Sequence, residues 1–515
     1  MLALGLVAGL SLATAACSSS TSSDGTGQGG SPAVARTAYT FSEVQIPVFD
    51  SPTFKGGYQP WMQLMYDTMI HETPAGAEPG LATAWTFPDD KTVELTLREG
   101  VKFQDGTPFN AAAVKFSWDR VMASTTMLKG ASLKSMTAVE APADNKVIVR
   151  LNAPYAYDWK NYLLRGSIYL SVVSPTAAQK AGDGFSANPV GAGAGPYGFA
   201  SYTKGQKVTL TASPNYWDPQ TIGLSGVEFV NTAGGAPTLA GLKSGSLDVA
   251  FANGGANINA AKAQGLKIAN TVVRPDWNYG GYFCGSKTPF NNVAARRAVL
   301  YALNRDAFVS GPYGGYAKVN PTTIPTTSPD FPGDTVPNPY AYDVAKAKAA
   351  LAAAGVAPGT TITALADPTD LNAATLQVLQ SQLDAVGLKL EITPSANAFA
   401  DIRTKQPDIY FQGSGFPYAS QGIFFEPNGV ANYCNFDNPD LTRSLAAALD
   451  TSITADQQKQ RWADFQRIYY DVVPGFNLAD IEQATITTSA VSGVPADKDP
   501  SSGLAQAWAG ISMKK

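Results

Sequence analysis

One histidine, His71, stands in a chain of 515 residues. A single imidazole cannot build a poly-histidine metal site, and no G-x-S-x-G turn offers it a serine to activate. His71 therefore reads as a packed or surface histidine, not a catalyst. The glycine-rich "NPVGAGAGPYGF" at 188–199 has the look of a phosphate cradle, with Gly191, Gly193 and Gly195 alternating. No Lys-Ser/Thr follows it and Pro196 forbids a helix there, so it reads as a hinge or tight packing loop. Paired carboxylates are the chemistry left open, since 41 acidic residues offer many pairs, and they define the rival reading of an exported hydrolase. Cys284 and Cys434 either pair or stay as two buried thiols, a choice their separation in sequence does not make. The richest binding chemistry lies in "RPDWNYGGYFCGSKTPF", 274–290. Trp277, Asn278, Tyr279 and Tyr282 combine flat apolar faces with hydrogen-bonding tips, a mixture that suits peptides and sugars alike and also suits packing at a joint between domains.

The third cysteine, Cys17, ends an uncharged run of apolar and small residues, "LALGLVAGLSLATAA" at 2–16. The run is shorter than the roughly 20 residues a membrane span needs, and it has the composition of an export signal. No positive residue precedes it, which leaves room for a start upstream of Met1. Thr14-Ala15-Ala16-Cys17 resembles a bacterial lipobox, with Thr14 where Leu is usual. The resemblance implies cleavage before Cys17 and lipid attachment to it. Residues 18–35 are mostly Ser, Thr, Gly and Asp. Such a tract cannot bury enough surface to offset its ordering entropy, so it reads as a tether between a lipid and a folded body outside the cytoplasmic membrane. Charged residues are 15 % and the formal net charge is −4, which gives no sign of affinity for nucleic acid.

The elements behind these residues are α/β in character. Alternation in "KTVELTLREGVKF" predicts a strand, "NAAAVKFSWDRVM" a helix, and 136–151 a hairpin turning at Asp144-Asn145. "NNVAARRAVLYALNRDAFV", 291–309, predicts one amphipathic helix. "YDVAKAKAALAAAG" predicts another, capped by Asp343 and stopped by Gly355. "TITALAD", "LNAATLQVLQSQLDAVG" and "LKLEIT" form a βαβ unit, expected to be right-handed and parallel. "PDIYFQ", 407–412, predicts a further strand, and helices follow at about 440–450 and 455–472.

The stretch "EPGLATAWTFPDDKTVELTLREGVKFQDGTPFNAAAVKFSWDRV", 78–121, resembles the signature of the family 5 extracellular solute-binding proteins, the peptide- and nickel-type receptors of ABC importers. Pro79, Leu81, Ala82, Trp85, Leu97, Arg98, Gly100, Phe103, Asp105, Gly106, Pro108 and Phe116 carry it. "GAGPYGF", "SPNYW", "LKSGSLDVA", "ARRAVLYALNRDAFV" and "DVVPGFNLAD" follow in the family's order. The resemblance implies a two-lobed, type II-like periplasmic-binding-protein fold with an extra domain inserted in the first lobe. It implies a first lobe of about 36–66, 195–274 and 483–515, an insertion of 67–194 and a second lobe of 275–482. Trp85, Phe103, Phe116 and Trp217 are expected in cores rather than on a ligand.

Ligand contacts are expected from Tyr58 in the first lobe, from Trp277, Asn278, Tyr279 and Tyr282 at the entry to the second, and from "DIYFQGSGFPYASQ", 408–421. Peptide-binding relatives place a Trp and then an Asp-Tyr in that last segment, the Asp pairing with the peptide's α-ammonium. Here those positions are Ser414, Pro417 and Tyr418. The resemblance then implies an aromatic, uncharged pocket of Phe411, Phe416 and Tyr418, suited to an oligosaccharide, a capped or modified peptide, or an apolar molecule. Cys284 sits where relatives often carry Asn. The expected protein is a monomeric receptor without cofactor or metal. It would pass a small-molecule ligand to an ABC permease, touch the membrane through its lipid alone, and perform no reaction. A sensing or scaffold lipoprotein on the same fold is the alternative.

Overall fold

The computed structural model describes residues 33–41, 47–54, 59–73, 76–127, 129, 131–161, 163–366, 370–395, 398–414, 422–427, 429, 431–451, 453–502 and 505–514. Cys17 and the leader lie outside them.

An 11-stranded mixed sheet runs through the molecule. Its order is Leu388–Pro394, Thr360–Ala366, Ile409–Ser414, Lys267–Phe283, Gly475–Thr487, Val249–Asn253, Val34–Tyr39, Gly226–Asn231, Lys207–Ala212 and Tyr197–Thr203, and Ala317–Val319 adds to Gly475–Thr487. Two strands are long enough to serve both ends of it: Lys267–Phe283, of 17 residues, and Gly475–Thr487, of 13. We call them the crossing strands.

The buried side chains sort into two bodies about these strands. One core draws on Ala35 through Val249 and is completed by Val491, Trp508 and Ile511. A smaller cluster, with Leu239, Ile258 and Ile486, flanks it. The second body holds two clusters built from residues 282–481, with one foreign member, Tyr157. A separate four-stranded antiparallel sheet, in the order Ala82–Asp89, Thr92–Leu97, Lys146–Leu151 and Met136–Ala143, packs its apolar face into the first core.

Local sequence explains these elements. Asn110, Asp343, Asn438 and Thr454 each accept a backbone amide at a helix start, and Thr454 and Gln457 form a reciprocal capping box. Thr360–Ala366 and Leu388–Pro394 are parallel partners around the helix Asp370–Ala385. The stretch 291–309 departs from expectation. It forms two helices, Val293–Ala302 and Arg305–Ser310, separated by an extended Leu303-Asn304. The Gln382 side chain accounts for the break, accepting from the Asn304 amide at 3.0 Å and donating to its carbonyl at 3.1 Å.

The glycine-rich loop proves to be a packing device. A Cβ on Gly193 would lie 1.9 Å from the Met65 carbonyl oxygen, and one on Gly195 would lie 2.3 Å from that of Leu64. Gln104 ties the same place together, accepting from the Gly193 amide at 2.8 Å and donating to the Tyr197 carbonyl at 3.2 Å.

Candidate functional site

The signature stretch builds a joint between the first core and the four-stranded sheet. Asp67 follows the helix Pro60–Tyr66 with φ 53° and ψ 174°, a conformation that suits glycine far better than aspartate. Four donors hold its buried carboxylate there. They are the Thr68 amide at 2.7 Å, His71 Nε2 at 2.7 Å, the Tyr216 hydroxyl at 3.0 Å and Trp217 Nε1 at 3.0 Å. Burial alone would raise this carboxyl's pKa. The His71 charge and the hydrogen bonds outweigh it and hold the group below the usual carboxylate range. Arg98 stacks over the Trp217 ring at 3.9 Å and donates to the Gly80 carbonyl at 2.9 Å. His71 is thus committed to structure. Phe103 is fully buried, while Trp85, Phe116 and Trp217 are half-buried against the first core.

The passage from one body to the other is set by the crossing strands. Their pairing is regular from Lys267 to Val273, except for one irregularity at Ile268, and resumes at Asn278. Between the pairs Val273–Glu482 and Asn278–Asp480, residues 274–277 face Ile481 alone. The backbone bows out where one body gives way to the other, and a bulge of this kind re-aims side chains and bends the strand. Trp277 lies in the bulge. Asn278 and Tyr279 pair beyond it with Ser414 and Gly413 of the strand Ile409–Ser414. The side chains of Trp277, Asn278, Tyr279 and Ser414, and the whole of Tyr58, Phe416, Pro417 and Tyr418, lie outside what is described.

Tyr282 and Phe411 are both buried in the second body, on opposite sides of the sheet. Tyr282 is stacked between Phe424, at 4.3 Å and 10°, and Tyr410, at 5.4 Å and 21°. Phe411 packs edge-on to Phe476 at 6.0 Å. Cys284 follows Tyr282 by two residues and is disulfide-bonded to Cys434, with Cα atoms 5.0 Å apart. The bond fixes the segment that carries Phe424 and Tyr433 beside the crossing strand.

Three features escaped sequence reading. Asp480, fully buried in the strand Gly475–Thr487, accepts from Asn320 Nδ2 at 2.8 Å and from the amide and hydroxyl of Thr326 at 2.8 and 2.6 Å. A carboxylate between the apolar Ala479 and Ile481 was the available signal. Tyr157, on the short helix Ala156–Asn161, donates its hydroxyl to Asp330 Oδ2 at 2.6 Å. Nothing in sequence links two residues 173 positions apart. Glu426, just beyond the segment 415–421, has its carboxyl pushed up by burial. Its charge reaches Tyr155, whose hydroxyl is raised to about 12 first by burial and then by Glu426 and Asp158. Among the described residues no group of three or more His, Cys, Asp or Glu side chains is arranged to hold a metal ion, and no helix is long and apolar enough to cross a membrane.

The chain thus has two bodies joined by shared strands, with a bulge at the joint. The model of the bacterial extracellular solute-binding proteins, family 5 (middle region), matches residues 76–432, and the chain belongs to that family. Its members are binding proteins and not enzymes. Among curated relatives, the glutathione-binding protein GsiB of Shigella boydii is 31 % identical over 319 residues. That match spans 61 % of this chain and 60 % of the relative. Among solved structures, NikZ of Campylobacter jejuni in complex with Ni(L-His) superposes with a TM-score of 0.77 at 19 % identity, covering 93 % of this chain and 99 % of that one. The oligopeptide-binding protein AppA of Bacillus subtilis, in complex with a nonapeptide, superposes at 0.76 with 18 % identity, covering 94 % and 100 %. These neighbours are two-lobed periplasmic binding proteins, and the fold here is the same.

Proposed function

We propose that this chain is the extracytoplasmic receptor of an ABC importer, held to the membrane by lipid on Cys17, and that it captures a peptide-like ligand between two closing lobes. The first lobe comprises about 36–66, 195–274 and 483–515, the insertion 67–194, and the second lobe 275–482. The observation that carries this reading is the bulge at 274–277, which holds the candidate ligand residue Trp277 and directly precedes Asn278 and Tyr279, where one body gives way to the other. A ligand touching both bodies there favours the arrangement in which they meet, and a permease can read that arrangement. Glutathione, named for the GsiB relatives, is itself a peptide. Engagement of His71 by Asp67 favours an organic ligand over a bare metal ion.

Pro417 stands where peptide-binding relatives carry the aspartate for an α-ammonium. A buried ammonium without that partner is costly, so the ligand has a blocked or differently held amino terminus. The same feature favours a neutral oligosaccharide as the second reading. The test is thermal unfolding of the folded unit, Pro32–Lys515, against free-amine peptides, N-acetylated peptides, glutathione, oligosaccharides and nickel–histidine. A ligand selective for the folded state raises the midpoint, by about 2.7 kcal/mol of stability at a hundredfold excess over Kd. Shifts with blocked peptides support the reading, and glutathione, which keeps a free α-ammonium, counts with the free-amine peptides. A shift with free-amine peptides alone rejects the uncharged pocket, and one with nickel–histidine alone rejects the ligand class.

A further inference from the structure

We propose that Tyr157 and Asp330 form a clasp between the two bodies that favours their closed arrangement through protein groups alone, and so sets the receptor's apparent affinity whatever ligand it carries. The proposal rests on the receptor reading for its biological meaning but not for its test.

Tyr157 is the single described residue before 282 among the buried members of the second body's aromatic cluster. It is 5 % exposed, and its ring meets Trp462 at 6.1 Å while its hydroxyl reaches Asp330. A buried hydroxyl–carboxylate bond of this length is of the charge-assisted kind, stronger than a neutral pair.

Both ends are preorganised. On the first body's side, Trp159, two residues from Tyr157, is fully buried and packs against Trp118 at 5.8 Å. On the other, Asp330 ends a loop pinned from three directions. Asp480 on the crossing strand holds Asn320 and Thr326. Gln466 accepts from the Thr323 amide at 2.9 Å, and Asn477 donates to the Thr322 carbonyl. The Asp330 amide in turn donates to Ser328 Oγ at 3.1 Å. Little ordering is required when the contact forms, so most of its energy goes into closure. With rotation about the crossing strands as the motion of the two bodies, the loop stays with the strand that anchors it and the tyrosine moves with the other body. Opening therefore breaks the bond.

A contact present in only one of two states shifts their ratio by its own strength, and it shifts ligand affinity by the change in closed fraction that follows, because only the closed form holds ligand tightly. Loss of the bond corresponds to about a tenfold fall in the ratio of closed to open. The experiment is small-angle X-ray scattering of the ligand-free protein. Wild type is expected to scatter as the compact arrangement, Tyr157→Phe to show a larger radius of gyration, and Asp330→Asn, which keeps an acceptor oxygen, to lie between. Circular dichroism of each variant separates opening from unfolding, and if Tyr157→Phe does not fold, Asp330→Asn carries the test. Once the panel has supplied a ligand, the Tyr157→Phe protein should bind it more weakly, by the ratio of the closed fractions that the scattering gives for the two proteins. An open ligand-free wild type, or folded variants that scatter as wild type does, overturns the clasp. Neither result would bear on which ligand is carried.

Discussion

Asp67 shows how much a single side chain can organise. Its backbone sits where aspartate is strained, and its carboxylate is held by four donors from two parts of the chain, 68–71 and 216–217. Asp67→Ala should cost about 3 kcal/mol, because it strands several buried donors at once, and urea denaturation reads it directly. The pH dependence has a definite sign. A carboxyl whose folded pKa is depressed contributes stability fully above its unfolded value, near pH 4, and loses it as pH falls through the lower folded value. The gap between wild type and variant should therefore narrow only in strong acid. Glu426 has the opposite sign. Burial raises its pKa, so ionisation costs stability above the folded value and nothing below the unfolded one. Glu426→Gln should unfold at a higher temperature than wild type at pH 7 and at the same temperature near pH 4. None of this was legible beforehand. His71 could be set aside as structural from its solitude, but its partner could not be chosen among 41 acidic residues.

At the scale of elements, periodicity and caps carried far. The βαβ unit at 360–394, the Asp343 cap and the hairpin at Asp144-Asn145 all follow from patterns a few residues long. The break at Leu303-Asn304 did not, because it depends on Gln382, far along the chain. The crossing strands were read only as a ligand-bearing stretch and a family segment, since pairing between residues some 200 apart leaves no local trace. The loop of alternating glycines was legible as packing but not as to what it packs on. Gly193→Ala should destabilise by about 2 kcal/mol, because the atom it meets is the Met65 backbone oxygen, which cannot swing aside. Gly184→Ala is the control: like Gly193 it is outside the left-handed region, and nothing lies within 4 Å of the added methyl. It should cost less in the same denaturation series.

At the scale of the molecule, two links decide how the second body holds together and how the first is finished. The Cys284–Cys434 bond spans 150 residues. Replacing both cysteines with serine should lower stability by about 2–5 kcal/mol, seen as an earlier denaturant midpoint, and should loosen the segment carrying Phe424. The first core is assembled from the two ends of the chain. Trp508 and Ile511 are buried in it beside Ala35, and the Trp508 ring lies 6.4 Å from that of Phe229. A polypeptide made from its amino end lacks these closing residues until some 240 residues after Val249 have been added. The first body therefore stays incomplete while the whole of the second is being synthesised, and Trp508 and Ile511 act as its late-arriving keystone.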